Sequence, residues 1–387
     1  MRYDIEVDDK DIDRRKEKIR YAFLCRKIET ENEFPVIIST PNYFVFGADN
    51  RPGYFENPEA MLAFQTNGCQ WHLKHIDDDY VPFFMPWYGT GVLASAFGCK
   101  IRVMNDGGDP AVAGPCFNTK EEAAKIKMPD PNRDGWMPKV LDCIEFARTH
   151  SNIPIGPTDL NSPLCTLMQL CGYDKAFLWM YDEPTLIHYL MGTITDAFID
   201  WVKIQKDYIG EPLVSSNGLQ GVWSPDGIGV WVSDDDLVSI NPELYEEFVV
   251  PYYSKIFSEF GGGSLHYCGK GTHQTENFKK IEHLKAINNS PMGQFDVFAN
   301  LAEKRPKGVV LQIQDSLPDT YDTYFEKLFE KVPNLNGMLL ATWVLDHFAA
   351  TETGGYVKVD WNTEEAANSA VKAVRKAVRN KLEQIQQ

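Results

Sequence analysis

The chain has 387 residues, 43% hydrophobic and 12% aromatic, enough to bury a large core as one barrel-sized domain or two ordinary ones. Its 38 basic residues against 55 acidic ones leave a formal charge of -17, which disfavours an extended phosphate or anionic-lipid partner and sets nucleic acid aside as a ligand. No window approaches the run of about 20 apolar residues that a membrane span needs, and Met1 to Asp4 leads into charged residues without an apolar leader, so a cytoplasmic protein is expected.

The elements read as alternating helices and strands. A polar N-terminal helix covers about Asp11 to Thr30, within an extension of residues 1–33. Strand-like runs follow at Pro35–Thr40, Tyr80–Met85, Ile153–Thr158, Gly229–Ser233, Gly263–Tyr267, Leu284–Asn288, Val309–Ile313 and Met338–Thr342. The clearest helix spans about Glu183 to Tyr208: Asp182 is its expected N-cap, Pro184 lies in its first turn, and Leu186, Leu190, Ile194, Phe198 and Trp201 repeat near the helical period. Another starts at Asn241-Pro242-Glu243, and a last one at Asn362-Thr363-Glu364-Glu365, a capping-box pattern. No repeat or linker marks a boundary, so residues 1–387 are expected to form one domain. About eight strands separated by helices favour an α/β fold of the (β/α)8 TIM-barrel type with a helical N-terminal extension, ahead of a doubly wound open sheet.

In such a barrel the ends of the strands converge on one mouth, and the residues just past each strand are the candidates for chemistry. These are Trp87 and Tyr88, Asp159, Asp234 to Asp236, His266 and Cys268, Asn288 and Asn289, Gln314 and Asp315, Trp343 and His347. His266 and Cys268 are one residue apart, so in a strand both face the same side, and imidazole with thiolate is a sensible half-site for zinc. Asp234-Asp235-Asp236 ends a hydrophobic run, which directs at least one carboxylate at the mouth as metal ligand, proton donor or hydrogen-bond acceptor. Asp77-Asp78-Asp79 is read instead as a solvated loop face. The eight cysteines lack paired spacing and fit reduced thiols, with Cys268 set apart by His266. Trp87, Tyr88, Trp223, Trp231 and Trp343, with Asn289, would suit a flat, largely apolar ligand held by a few polar groups. There is no phosphate loop, no G-x-S-x-G elbow and no H-E-x-x-H.

The run from Gly229 to Leu237, then Ile240 to Tyr252, then His266-Tyr267-Cys268-Gly269 resembles the uroporphyrinogen decarboxylase superfamily, where D-D-x, S-P-x-x-F/Y-x-E-F-x-x-P and H-x-C-G occur in that order. Gly156-Pro157-Thr158-Asp159-Leu160, the stretch from Cys171 to Leu178, and Tyr181-Asp182-Glu183-Pro184 are similar to motifs that precede that family's long helix. The resemblance is good over residues 150 to 270 and implies the barrel.

One branch, the decarboxylases, carries an arginine-rich segment near its first strand, whereas here only Arg51 stands near Pro41 to Gly47. The other branch contains methyltransferases that exchange a methyl group with a corrinoid on a separate protein; those with thiol substrates add a second, distal cysteine. No cysteine follows Cys268, and the corresponding region offers Asp346 and His347. Oxygen or nitrogen there would leave a harder ion, better matched to an ether oxygen than to a thiolate. The resemblance therefore implies the methyltransferase component of a corrinoid-dependent O-demethylase, moving a methyl group from a small methoxylated aromatic to cobalamin on a partner corrinoid protein, with a homodimer as an allowed assembly. Asp236, His266 and Asp235 are the expected catalytic residues; His266, Cys268 and His347 are the expected ligands of zinc. A thiol or amine methyltransferase and a decarboxylase-like lyase are the alternatives.

Overall fold

The computed structural model describes residues 1–40, 53–103, 108–345, 348–351 and 355–386. His347 and Asp346 lie outside the described residues. Six parallel strands form the central sheet: β1 (Val36–Ser39), β2 (Val230–Ser233), β3 (Gly263–Cys268), β4 (Leu284–Ser290), β5 (Val310–Ile313) and β6 (Met338–Trp343). Their spatial order is β1-β6-β5-β4-β3-β2. Most of their residues are buried, as expected of a parallel sheet covered by helices.

Two further strand positions continue this wall through single parallel bridges, Asn161 to Ser233 and Phe84 to Ile155. Both segments were expected as full strands, and proline explains why they are not. Pro82 and Pro86 flank Phe84, and Pro154 and Pro157 flank Ile155; each removes an N–H from the ladder. What survives is Phe84 N–H donating to Pro154 O at 2.7 Å and Gly156 N–H donating to Phe84 O at 2.9 Å. Eight strand positions thus follow one another in chain order, the (β/α)8 arrangement.

The join between the second position and β1 is made largely by side chains. Asp79 N–H donates to Val36 O at 2.8 Å, while Asp79 Oδ2 and Asp78 Oδ2 accept from the N–H groups of Val36 (2.9 Å) and Ile38 (2.8 Å). Both carboxylates are essentially fully buried. Lys18 reaches Asp79 at 2.7 Å; Arg15 and His72 reach Asp78 at 3.4 and 3.0 Å. The reading of Asp77-Asp78-Asp79 as a solvated face is corrected: only Asp77 is exposed, and its two neighbours stitch the N-terminal helix Asp9–Phe23 and β1 into the barrel.

The N-terminal helix, expected to reach Thr30, ends at Phe23, while the later helices sit close to expectation. Pro184–Ile209 ends at Gly210, whose φ of +78° is the left-handed conformation that glycine adopts without cost. Asp182 closes the preceding helix Tyr173–Asp182 and does not cap this one, for which the cap position is Glu183. Asn241 does cap Pro242–Phe248, accepting from Leu244 N–H at 2.9 Å. The C-terminal helix Thr363–Gln386 is capped by Asn362, which accepts from Glu365 N–H at 3.1 Å.

One element that the sequence reading missed shapes the site. Ser216–Leu219 and Val222–Ser224 form a hairpin whose two-residue turn, Gln220 at φ +46° and Gly221 at φ +84°, has the left-handed conformations that tight hairpins use. Gln312 Nε2 of β5 donates to Gln220 O at 3.0 Å, which fixes the turn among the strand ends.

Candidate metal centre and adjoining cleft

β2 and β3 deliver the two key motifs side by side. Ser233 is in register with His266, and His266 with Asn288 of β4. Past β2 the chain turns into a short 3-10 segment, Asp235–Val238, so that Asp235 swings over the end of β3, where Cys268 N–H donates to its Oδ1 at 2.9 Å. Past β3 the chain turns away at Gly269, whose φ is +84°.

The result is a group of three ligand-type atoms. His266 Nε2 lies 3.5 Å from Asp235 Oδ1 and 3.5 Å from Cys268 Sγ, and the ligand atoms of all three residues fall within 4.8 Å of one another. Ligands about 2.0–2.3 Å from a tetrahedral zinc stand roughly 3.3–3.6 Å apart, so the two 3.5 Å separations from His266 match those around such an ion. The imidazole is held in a ligating orientation, since its Nδ1 lies 2.6 Å from Asn288 Oδ1. Donation of an Nδ1 proton to that carbonyl leaves Nε2 facing the thiol and the carboxylate, the outer-shell arrangement common around metal-bound histidines. Asp235 and Cys268 are exposed while His266 is buried, so the group opens outward from the barrel's rim.

The electrostatics say the same. Burial works against a charged His266, yet the Asp235 carboxylate and Cys268 hold its pKa well above the ordinary value. Burial pushes Asp235 up, but its bond and attraction to His266 win and bring it below the usual carboxylate range. Three groups here share one positive charge, which a proton on Nε2 or a metal ion can supply.

A cleft adjoins this group, lined by Met85, Trp87, Thr90, Asp159, Asn161, Gln220, Gly221, Ser233, Asp235, His266 and Gln314. Trp87 forms its apolar wall, with its indole Nε1 donating to Asp109 Oδ1 at 3.0 Å. Asp159 is buried and its Oδ1 accepts from Ser233 Oγ at 3.3 Å. Burial raises its pKa to about 7, with nearby His266 pulling the other way.

Of the residues expected at the mouth, Trp87, Asp159, Asp235, His266 and Gln314 line this cleft, and Cys268 completes the ligand group. Asp236 does not reach it. Its carboxylate turns back into the protein, accepting from Tyr173 OH at 2.8 Å on the helix Tyr173–Asp182. Asn288, expected only as a rim residue, orients His266 instead.

The aromatic set is mostly dispersed. Trp223 sits at the opposite end of the strands, with Gly227, Lys285 and Gly308 near the strand starts and under Lys16 and Arg20 at 5.4 and 5.5 Å. Trp231 is 1% exposed in the middle of β2, two residues below Ser233, and packs as core. Tyr88 is turned the other way from Trp87, edge-on to Trp136 at 6.2 Å. Asn289 faces the opposite side from Asn288 and braces the end of β3, donating to Tyr267 O (3.1 Å) and Gly269 O (3.3 Å). Trp343 ends β6 half-buried and is not among the cleft residues. Asn161 and Gln220 were not foreseen. Gln220-Gly221 between the apolar Leu219 and Val222 was the signal for the second, a turn dipeptide inside a strand-like run.

The sequence model of the uroporphyrinogen decarboxylase (URO-D) family matches residues 84–312. The chain belongs to that family. The match takes in the Phe84 strand position, the Asp235 turn, His266, Cys268 and Asn288, and extends on both sides beyond the stretch from 150 to 270 that carried the resemblance. Among solved structures the fold is similar to a methyltransferase from Methanosarcina mazei, with a TM-score of 0.60 at 15% identity over 96% of this chain and 99% of that one. No curated protein matches the sequence significantly. No described helix of this URO-D family member is long and apolar enough to cross a membrane.

Proposed function

We propose that this URO-D family protein is the methyl-transferring component of a corrinoid-dependent O-demethylase, taking the methyl group of an aryl methyl ether and giving it to cob(I)alamin on a separate corrinoid protein in the cytoplasm. The observation that carries the reading is the Asp235, His266, Cys268 group opening onto a cleft with an indole wall. The likeness in fold to a methyltransferase supports it.

In the reaction the bond from methyl carbon to ether oxygen breaks, a bond from that carbon to cobalt forms, and a phenolate departs. Asp235, His266 Nε2 and Cys268 Sγ would hold zinc, which would supply a Lewis acid toward the ether oxygen and the charge developing on it. Asn288 keeps the imidazole facing that position. Trp87 presents a face to the aromatic ring, and Asp109 holds the indole in place. Asp159, with a pKa near 7, is matched to handing a proton to a phenolate as it leaves. The corrinoid partner must reach the same rim, since the methyl carbon is attacked on the side away from the oxygen.

A thiol methyltransferase is the second reading, favoured by the cysteine sulfur in the ligand group. A porphyrinogen decarboxylase is disfavoured, because no lysine or arginine is among the described cleft residues to receive the substrate's carboxylates. The test is metal analysis of the purified protein followed by methyl transfer to cob(I)alamin, read by absorbance, with methoxybenzenes, coenzyme thiols and methylamines compared. Bound zinc at one per chain and transfer from methoxybenzenes alone are expected; transfer confined to the thiols or amines would refute the aryl ether reading.

A further inference from the structure

Two thiols lie together at the base of the element that holds the cleft's indole wall. Cys99 Sγ donates to Cys116 Sγ at 3.2 Å, and both residues are free cysteines. They flank an antiparallel hairpin, Ile101–Arg102 paired with Ala111–Val112, just outside which Ala113 N–H donates to Lys100 O at 2.8 Å. The helix Pro163–Cys171 anchors the same place: Leu170 O accepts from the N–H groups of Cys116 at 3.0 Å and Phe117 at 2.9 Å. Further along, the hairpin presses on the cleft. Asp109 Oδ1 accepts the indole proton of Trp87 at 3.0 Å, and Pro110 O packs so tightly over Gly89 that a side chain there would collide with it. Trp87 and Thr90, on either side of Gly89 in the chain, line the cleft. The two thiols differ in exposure and acidity. Cys99 is 5% exposed and Cys116 half-buried. The hydrogen bond from Cys99 pulls the Cys116 pKa below its ordinary value, outweighing the burial that opposes it. Burial pushes the neighbouring thiol, Cys171, up to about 12. A low-pKa thiol within reach of solvent, beside a second thiol that can resolve it, is the arrangement of cysteines that oxidise reversibly.

We propose that Cys99 and Cys116 form a redox modification site, a dithiol that hydrogen peroxide converts to a disulfide clamping the base of this hairpin beside the cleft wall. The Cys116 thiolate attacks one peroxide oxygen, the O–O bond breaks, hydroxide leaves, and Cys116 becomes a sulfenic acid. The Cys99 sulfur then attacks the Cys116 sulfur; the S–O bond breaks, and the hydroxyl leaves as water with the proton that Cys99 gives up. The two thiols lose two electrons and two protons in all, and one hydrogen peroxide becomes two waters. Closing the bond shortens the sulfur separation of 3.2 Å by about 1.2 Å, a movement of side-chain scale. The new link joins the two strands just outside their last backbone pairing, so it holds together the part of the hairpin that carries Asp109 and Pro110, and through them Trp87. Neither the metal nor the methyl donor enters this chemistry.

The experiment treats the full chain with hydrogen peroxide, blocks the remaining thiols by alkylation and maps the peptides by mass spectrometry without reduction. A peptide pair linked through Cys99 and Cys116 is expected to form at least about tenfold faster than Cys171 is oxidised, and dithiothreitol should reverse it. The linked chain should melt at least about 2 °C above the reduced one, and hydrogen exchange at Ala113 N–H should slow. Cys99→Ser removes the resolving thiol, so oxidation should stop at a sulfenic acid on Cys116 that dimedone traps, whereas Cys116→Ser should leave Cys99 unlabelled. Recovery of Cys99 and Cys116 as separate thiols once the exposed Cys268 has been oxidised overturns the site, whether or not either variant folds. A linked pair with unchanged melting and unchanged exchange at Ala113 overturns the clamp.

Discussion

Two runs of three aspartates stand in this chain, and the fold puts them to different uses. Asp78 and Asp79 are buried at the seam between the second strand position and β1, with Arg15, Lys18 and His72 as partners and the N–H groups of β1 as donors. Asp235 leans out over the end of β3 with its side chain 59% exposed, facing one imidazole and one thiol. Sequence composition does not separate them. Neighbours do: a carboxylate ringed by fixed cations and backbone donors is a structural strut, whereas one that shares a single histidine with a thiol remains able to take a metal ion.

The sharpest way to break the comparison is to remove one member of each set. Asp78→Ala strips the buried Arg15 of one of its two carboxylates, leaving it Asp11, and takes away the acceptor that His72 Nε2 and Ile38 N–H share, so urea unfolding should register a loss of about 3–5 kcal/mol with zinc affinity unchanged in the molecules that stay folded. Asp235→Ala should do the reverse. It removes a half-exposed partner of His266 and the acceptor for Cys268 N–H, so the stability loss should be about 1 kcal/mol, well short of that in Asp78→Ala. Zinc affinity, measured by competition with a chelator, should fall by at least about 100-fold, since a direct ligand outweighs outer-shell groups that each contribute about 10–100-fold. If both variants lose stability equally and neither loses metal, the distinction between strut and ligand fails.

Asn288→Ala sharpens the ligand half. It removes the acceptor at 2.6 Å that fixes His266 but takes away no ligand atom, so zinc affinity should fall by about 10–100-fold and less than in Asp235→Ala. An effect as large as that of Asp235→Ala would make Asn288 a ligand in its own right.

How much of this was legible follows from which forces leave a local trace. The strands that form long ladders, β2 to β6, show as apolar runs bounded by glycine or polar residues, and their expected limits agree with the structure to within two residues. The two proline-punctuated positions were found as runs too, but their near absence of pairing depends on which N–H groups remain, a matter of partner and register. Motif spacing brought His266 and Cys268 together, because two residues apart on one strand is a local relation. Asp235 against Asp236 was not decidable in that way: the choice depends on the 3-10 turn after β2, which sends successive side chains to different sides, one to His266 and one to Tyr173. The dispersal of Trp223 and Trp231 has the same origin, since a strand's depth in the barrel and the direction of a hairpin are set by packing partners far away in sequence.

The remaining aspartate of the second run, Asp234, gives a pH test of the same contrast. It is fully buried like Asp78 and Asp79, but its hydrogen-bonding partners are neutral: Ser162 Oγ at 3.3 Å, Cys165 Sγ at 3.6 Å and Tyr245 OH at 3.1 Å. Burial without a cation pushes its pKa from an ordinary 3.8 to about 7. In the unfolded chain it loses its proton near 3.8, so between that value and about 7 the folded state binds the proton and the unfolded state does not. Stability contributed by this group is therefore fully present below 3.8 and declines as pH rises to about 7. Asp234→Asn keeps an acceptor for Tyr245 and removes the titration, so its melting temperature should vary less between pH 5 and 8 than that of the natural chain, with the two curves drawing apart toward the alkaline side in the variant's favour. Parallel curves would mean that Asp234 is ionised throughout this range and that a counter-charge reaches it, which would erase the difference between the buried parts of the two runs.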